Sequence, residues 1–142
     1  MDVKNKSKAI FIGSNPSAAS QGIGAFDVST KSGITLHSWI NRANIELYMF
    51  MNLHNKPTPN NRPLKKSEIK AALINLEAHL SIYHGTPIVA VGKAAAEALT
   101  LLRREFYELP HPSGLNRKLN DAAFVEEKIK GLAKFANPSK IE

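Results

Sequence analysis

The chain contains no cysteine. That excludes disulfides, a thiolate nucleophile, cysteine-ligated zinc and an iron–sulfur cluster held by thiolates. Apolar runs near the roughly 20 residues that a membrane-spanning helix needs are also missing. The start, MDVKNKSKA, passes directly into a short apolar segment without the layout of a signal peptide. A soluble, cytoplasmic protein is therefore expected, with no membrane partner. Low-complexity tracts and internal repeats are absent from the sequence. Acidic residues are in deficit, 12 against 19 lysines and arginines, for a formal net charge of +7 and a pI near 9.7. A basic excess of this kind suits a polyanionic partner, because lysine and arginine that neutralise phosphates release counterions. Nucleic acid leads, and a general solubility role for the charge is the alternative.

What is present is ordinary globular material. Of 142 residues, 43% are hydrophobic and 22% charged, enough for one core and one domain over residues 1–142. Ala9 to Ile12 form a continuous apolar run ended by Gly13 and Pro16, the pattern of a buried strand running into a turn. Leu36, Trp39, Ile40 and Ala43 carry a helical spacing, and Leu47 to Met51 then read as a second strand with Asn52 at its carboxyl end. The segment from Asn52 to Lys66 is rich in proline and asparagine and is expected to be an ordered loop. Ser67 is placed to cap the next helix, whose apolar residues Ile69, Leu73, Leu76, Leu80 and Tyr83 fall on one face. Pro87 to Val91 is a third strand, Gly92 turns it, and KAAAEALTLLRR is made of strong helix formers. Phe106 to Leu109 is a fourth strand leading into HPSGLNR. Asn120 or Asp121 caps a last helix that turns Phe124, Val125, Ile129, Leu132, Ala133 and Ala136 inward.

Alternating strands and helices imply a three-layer α/β/α fold around a central, mostly parallel, four-stranded sheet. Ligands of such sheets bind outside the carboxyl ends of the strands. Here those ends hold GSNPS, Asn52 with its loop, Gly92-Lys93 and HPSGLNR.

Taken in order, these segments resemble the uracil-DNA glycosylase superfamily from Ile10 to Asp121. GSNPS is similar to the water-positioning loop of its mismatch-specific and single-strand-selective branches, which carry asparagine where others carry a carboxylate. The middle of the chain, with an asparagine leading the loop, an NNRP turn, a long helix and a strand ending in Gly-Lys-x-Ala, is similar in spacing to the thermostable branch. HPSGLNR is like the leaving-group loop. The iron–sulfur cluster of the thermostable branch must be absent, since Lys56 stands about where that loop would carry a cysteine.

The resemblance implies catalytic roles for Asn15 and His111, with Gly13, Ser14 and Phe26 at the base. His111 would donate a hydrogen bond to the departing base as negative charge develops there. Asn15 can orient a water but cannot serve as a general base, because an amide takes up no proton near neutrality. Phe26 would stack on the flipped base; a plain core role is the alternative. Asn52 suits base reading in its own right, since one carboxamide supplies both a donor and an acceptor to a pyrimidine edge. Leu115 is the candidate wedge for the gap left in the stack. Ser17, Ser113, Gly114, Arg117 and Lys118 are the candidate phosphate contacts, through NH groups and charge. Gly22 and Gly24 suit tight turns better than phosphate binding. Local readings remain for each: an Asx turn at Asn15, a turn histidine at 111, a solvated basic turn at Arg117 and Lys118.

These assignments imply a monofunctional, monomeric DNA glycosylase that needs no cofactor and no metal, acting on uracil or a related pyrimidine. Excision of another modified base, a DNA-binding module without catalysis, and a nucleotide-binding regulator are the competing readings.

Overall fold

The computed structural model describes residues 7–15, 26, 28, 30–113 and 116–137. Ser17, Gly22, Gly24, Gly114 and Leu115 lie outside these residues. Four strands, β1 (Lys8–Gly13), β2 (Leu47–Asn52), β3 (Ile88–Val91) and β4 (Tyr107–Leu109), alternate with four helices, α1 (Lys31–Arg42), α2 (Lys66–Ile82), α3 (Lys93–Leu101) and α4 (Ala122–Ala136). The sheet runs β2-β1-β3-β4, and every pairing is parallel. β1 is central and buried on both faces, which explains its unbroken apolar run.

Strand alternation sorts the core into two layers. Ala9, Phe11, Val89, Val91 and Leu109 point to one face, where Leu36, Trp39 and Ile40 of α1 and Ile129, Leu132 and Ala136 of α4 cover them. Ile10, Ile12, Ile88 and Ala90 point to the other, under Ile69, Leu76 and Leu80 of α2 and Ala95, Ala98 and Leu99 of α3. Phe11 and Ile12 are both fully buried, and each stabilises the fold by about 1.5–3 kcal/mol relative to an exposed side chain. An Arg42–Glu126 ion pair ties α1 to α4 at the surface.

Two helix starts differ from the sequence pattern. α1 begins at Lys31, upstream of Leu36, because the hydroxyl of Thr30 accepts from the N–H of Gly33 at 3.0 Å and so satisfies an orphan donor of the first turn. Ser67 does not cap α2. That helix starts at Lys66, and the Glu68 carboxylate reaches back to accept the N–H of Lys65 at 2.7 Å, leaving Ser67 exposed in the first turn. Asp121 caps α4 as expected, its Oδ1 accepting from the N–H groups of Ala123 (3.0 Å) and Phe124 (3.2 Å). The long loop after β2 contains a short 3-10 turn, Pro59–Asn61. Among the described residues no helix is long and apolar enough to cross a membrane.

The topology locates a crevice. From β1 the chain leaves to α1 on one face of the sheet; from β3 it leaves to α3 on the other face. Where adjacent parallel strands send their loops to opposite faces, a gap opens outside their carboxyl ends. That gap lies between Gly13 of β1 and Gly92 after β3.

Candidate active site

On one side of the gap, two loops are fastened together. The β1–β2 pairing, which sets Gly13 opposite Asn52, continues beyond the strands. Leu53 N–H donates to the Gly13 carbonyl at 3.0 Å and His54 N–H to the Ser14 carbonyl at 2.9 Å. Asn15 is held within this pair of loops. Its Oδ1 accepts from the Ser14 hydroxyl at 3.0 Å, and its Nδ2 donates to the Lys56 carbonyl at 3.3 Å. A carbonyl accepts only from the NH2 end of a carboxamide, so the Lys56 bond fixes which way the Asn15 amide faces. Among the described residues, one lone pair on Oδ1 and one N–H of Nδ2 have no partner.

Gly13 is the point on which Phe26 and Asn52 converge. A Cβ built on it would lie 2.6 Å from Cζ of Phe26 and 2.8 Å from Oδ1 of Asn52, closer than real Cβ contacts allow. The missing side chain lets an aromatic ring and a carboxamide share one corner. Phe26 itself has φ of +53°, a left-handed conformation uncommon outside glycine, asparagine and aspartate. Its ring rests edge-on against Phe50, with centroids 5.6 Å apart. Phe50 in turn contacts Phe11 at 5.8 Å, Tyr48 at 5.5 Å and His37 of α1 at 5.1 Å. Phe50 is one residue that sequence reading missed. The signal was present, since Tyr48, Phe50 and Asn52 alternate along β2 and share one face of the sheet.

Across the gap stands His111, just past β4. Its Nδ1 accepts the N–H of Ser113 at 3.1 Å, so the neutral ring carries its proton on Nε2 and presents a donor there. Desolvation by the surrounding protein lowers its pKa from the ordinary 6.5, although the residue as a whole is exposed. The shift favours the neutral imidazole. It packs over Gly92, where φ is +92° and a Cβ would lie 3.3 Å from the ring's Cδ2. Asn116 donates from Nδ2 to the His111 carbonyl at 3.0 Å and accepts the Lys118 N–H at 3.1 Å.

Arg117 and Lys118 are exposed in a 3-10 turn, Arg117–Asn120, beside the crevice. The N–H groups of Ser113 and Lys118 are engaged inside the loop, so these two residues do not offer backbone donors to a phosphate. Between β2 and β4 lie three interstrand spacings, about 14 Å in all. Among the described residues no group of three or more His, Cys, Asp or Glu is placed to hold a metal ion. A separate cavity of about 180 Å³, lined by Lys8, Leu47, Tyr83 and Thr86 among others, lies at the amino ends of β1 and β2, away from the crevice.

The fold is a parallel α/β sheet with a crevice at the switch point, His111 on one wall and Phe26 with Asn52 on the other. Residues 2–133 match the uracil DNA glycosylase superfamily, and the chain belongs to it. Membership supports a DNA glycosylase-type function with DNA as the substrate. No curated protein gives a significant match.

Proposed function

We propose that this protein is a monofunctional, monomeric DNA glycosylase that flips a nucleotide into the crevice and hydrolyses the N-glycosidic bond of uracil or a related pyrimidine. The observation that carries this reading is the pairing of walls: Phe26 and Asn52 meet at Gly13 on one side, and His111 presents Nε2–H on the other.

As the C1′–N bond stretches, positive charge builds on the sugar and negative charge on the base, as in other glycosidic hydrolyses. Nε2–H of His111 donates to a base carbonyl oxygen where that negative charge collects. A neutral donor stabilises the anion without first transferring a proton, and desolvation that depresses the histidine pKa keeps it neutral. Asn15 holds the water that adds to C1′. Since Asn15 takes no proton, the water loses its own to solvent as the new C–O bond forms, and the base leaves as an anion that is protonated afterwards. Asn52 reads the base edge, Phe26 stacks on its face, Gly13 leaves them room, and Ser14 orients Asn15 through its hydroxyl. Arg117 and Lys118 hold phosphates through their side chains. Ser17 and Gly114 complete the phosphate contacts, and Leu115 fills the vacated stack.

A panel of oligonucleotides, each with one altered base and scored for alkali-labile abasic sites, tests this reading. Uracil or a close relative is expected to be released. His111→Ala should lower kcat by about 100- to 1000-fold, the range for loss of one preorganised donor, with DNA affinity little changed. Unchanged turnover would remove His111 from the mechanism. DNA binding without release of any base would favour a non-catalytic module.

A further inference from the structure

Three of the four hydrogen bonds that Asn116 makes bind the ends of the last loop to each other, the fourth being the Leu119 N–H to its carbonyl at 3.2 Å. Its Oδ1 accepts the Lys118 N–H at 3.1 Å and caps the 3-10 turn that follows. Its Nδ2 donates to the His111 carbonyl at 3.0 Å. Its own backbone N–H donates to the Ser113 carbonyl at 3.0 Å. Capping alone would be served equally by serine or aspartate. Only a carboxamide supplies an acceptor to the turn and a donor to His111 at once, and a glutamine would carry it one methylene too far. The second bond is therefore what distinguishes asparagine from other caps at this position.

That bond acts on a residue whose placement is already tightly specified. The His111 ring is fixed at Nδ1 by Ser113 and on one side by Gly92. Both constraints presuppose a fixed backbone at His111. With the carbonyl released, the peptide could rotate and the Ser113 N–H would no longer face Nδ1. Misplacing a catalytic group by about 1 Å costs on the order of 100-fold in rate.

We infer that Asn116 is a positioning residue, which sets the place and the tautomer of the His111 imidazole through the His111 carbonyl, in addition to capping the turn. The inference rests on the role proposed above for His111. Asn116→Ser separates the two functions, because a serine hydroxyl still caps the turn but is too short to reach the His111 carbonyl; Asn116→Ala removes both.

Single-turnover kinetics, DNA binding, thermal melting and histidine 15N spectra of the free protein make up the test. In wild type, His111 should populate a single tautomer protonated at Nε2. In Asn116→Ser it should become a mixture, and the rate should fall about 10-fold, with Kd for DNA and Tm near wild type. Asn116→Ala should show the same loss of rate together with a lower Tm. Asn116→Ser with a wild-type tautomer overturns the inference whatever the oligonucleotide panel shows, and so does a rate loss matched by an equal loss of DNA affinity. Because the spectra need no substrate, a mixed tautomer in the variant supports the inference even if wild type excises no base, in which case only the glycosylase reading fails.

Discussion

Gly13 is the residue at which the smallest chemical change should have the largest effect. An added methyl would lie 2.6 Å from the Phe26 ring and 2.8 Å from the Asn52 amide, and neither neighbour can retreat far, since Phe26 is backed by Phe50 and Asn52 ends a strand paired with β1. Overpacking of this kind costs about 1–3 kcal/mol, which the fold can absorb at a strand terminus. Gly13→Ala should therefore stay folded by circular dichroism and lose at least 10-fold in kcat/KM, at about 1.4 kcal/mol per decade. Wild-type kinetics in that variant would show that Phe26 and Asn52 do not form the base pocket. At this scale the sequence was readable where a residue's placement follows from its position on a strand. Gly13 and Asn52 were singled out because each ends an apolar run, and His111 because its loop resembles the family's leaving-group loop. Asn116 and Phe50 were not. A bond from one loop residue to another's carbonyl leaves no periodic trace, and Phe50 looks like any core aromatic until Phe26 is seen against it.

Among the elements, the loop between β2 and α2 is held in part by charge. Arg62 makes two bonds to Glu68, at 2.8 and 3.2 Å, while Glu68 also accepts the Lys65 N–H. Thr58, buried, donates to the Arg62 carbonyl at 2.5 Å. The Arg62 hydrogen bonds, followed by the Lys65 N–H, hold the Glu68 carboxyl at about 2, against an ordinary 4.5. A depressed carboxyl pKa stabilises the folded state in full above the ordinary value, and that contribution disappears as pH falls from 4.5 toward 2. Glu68→Gln should accordingly lower Tm at neutral pH and raise hydrogen exchange across residues 53–65, and the gap in Tm between wild type and variant should close as pH drops through that window. A gap that is constant with pH would mean the carboxylate's charge contributes nothing. The lysine-rich surroundings gave no hint of this clasp, and the sequence pattern favoured Ser67 as the cap. A short hydroxyl is the commoner cap, but here a glutamate one residue later satisfies the first turn from inside the helix.

For the whole molecule, alternation of strand and helix was enough to anticipate a parallel three-layer fold. It could not order the strands. An amphipathic helix shows which of its own faces is buried, not which face of the sheet it covers, so the switch between β1 and β3 emerges only when α1 and α2 are seen on opposite sides. The net charge of +7 leads to a further test. Affinity for DNA should fall steeply with salt, and Arg117→Ala with Lys118→Ala should reduce the magnitude of the slope of log K against log salt by about 2, one unit for each phosphate left without its cation. An unchanged slope would place that loop away from the phosphates. The bonds from Leu53 to Gly13 and from His54 to Ser14 carry one more consequence. They weld the first two loops into a fixed anvil, while the bonds described for the histidine loop run mostly within it. The Ser14 and Asn15 wall of the crevice is thus braced by the neighbouring strand's own loop, so a change in residues 53–56 should be felt at Asn15 before it is felt at His111.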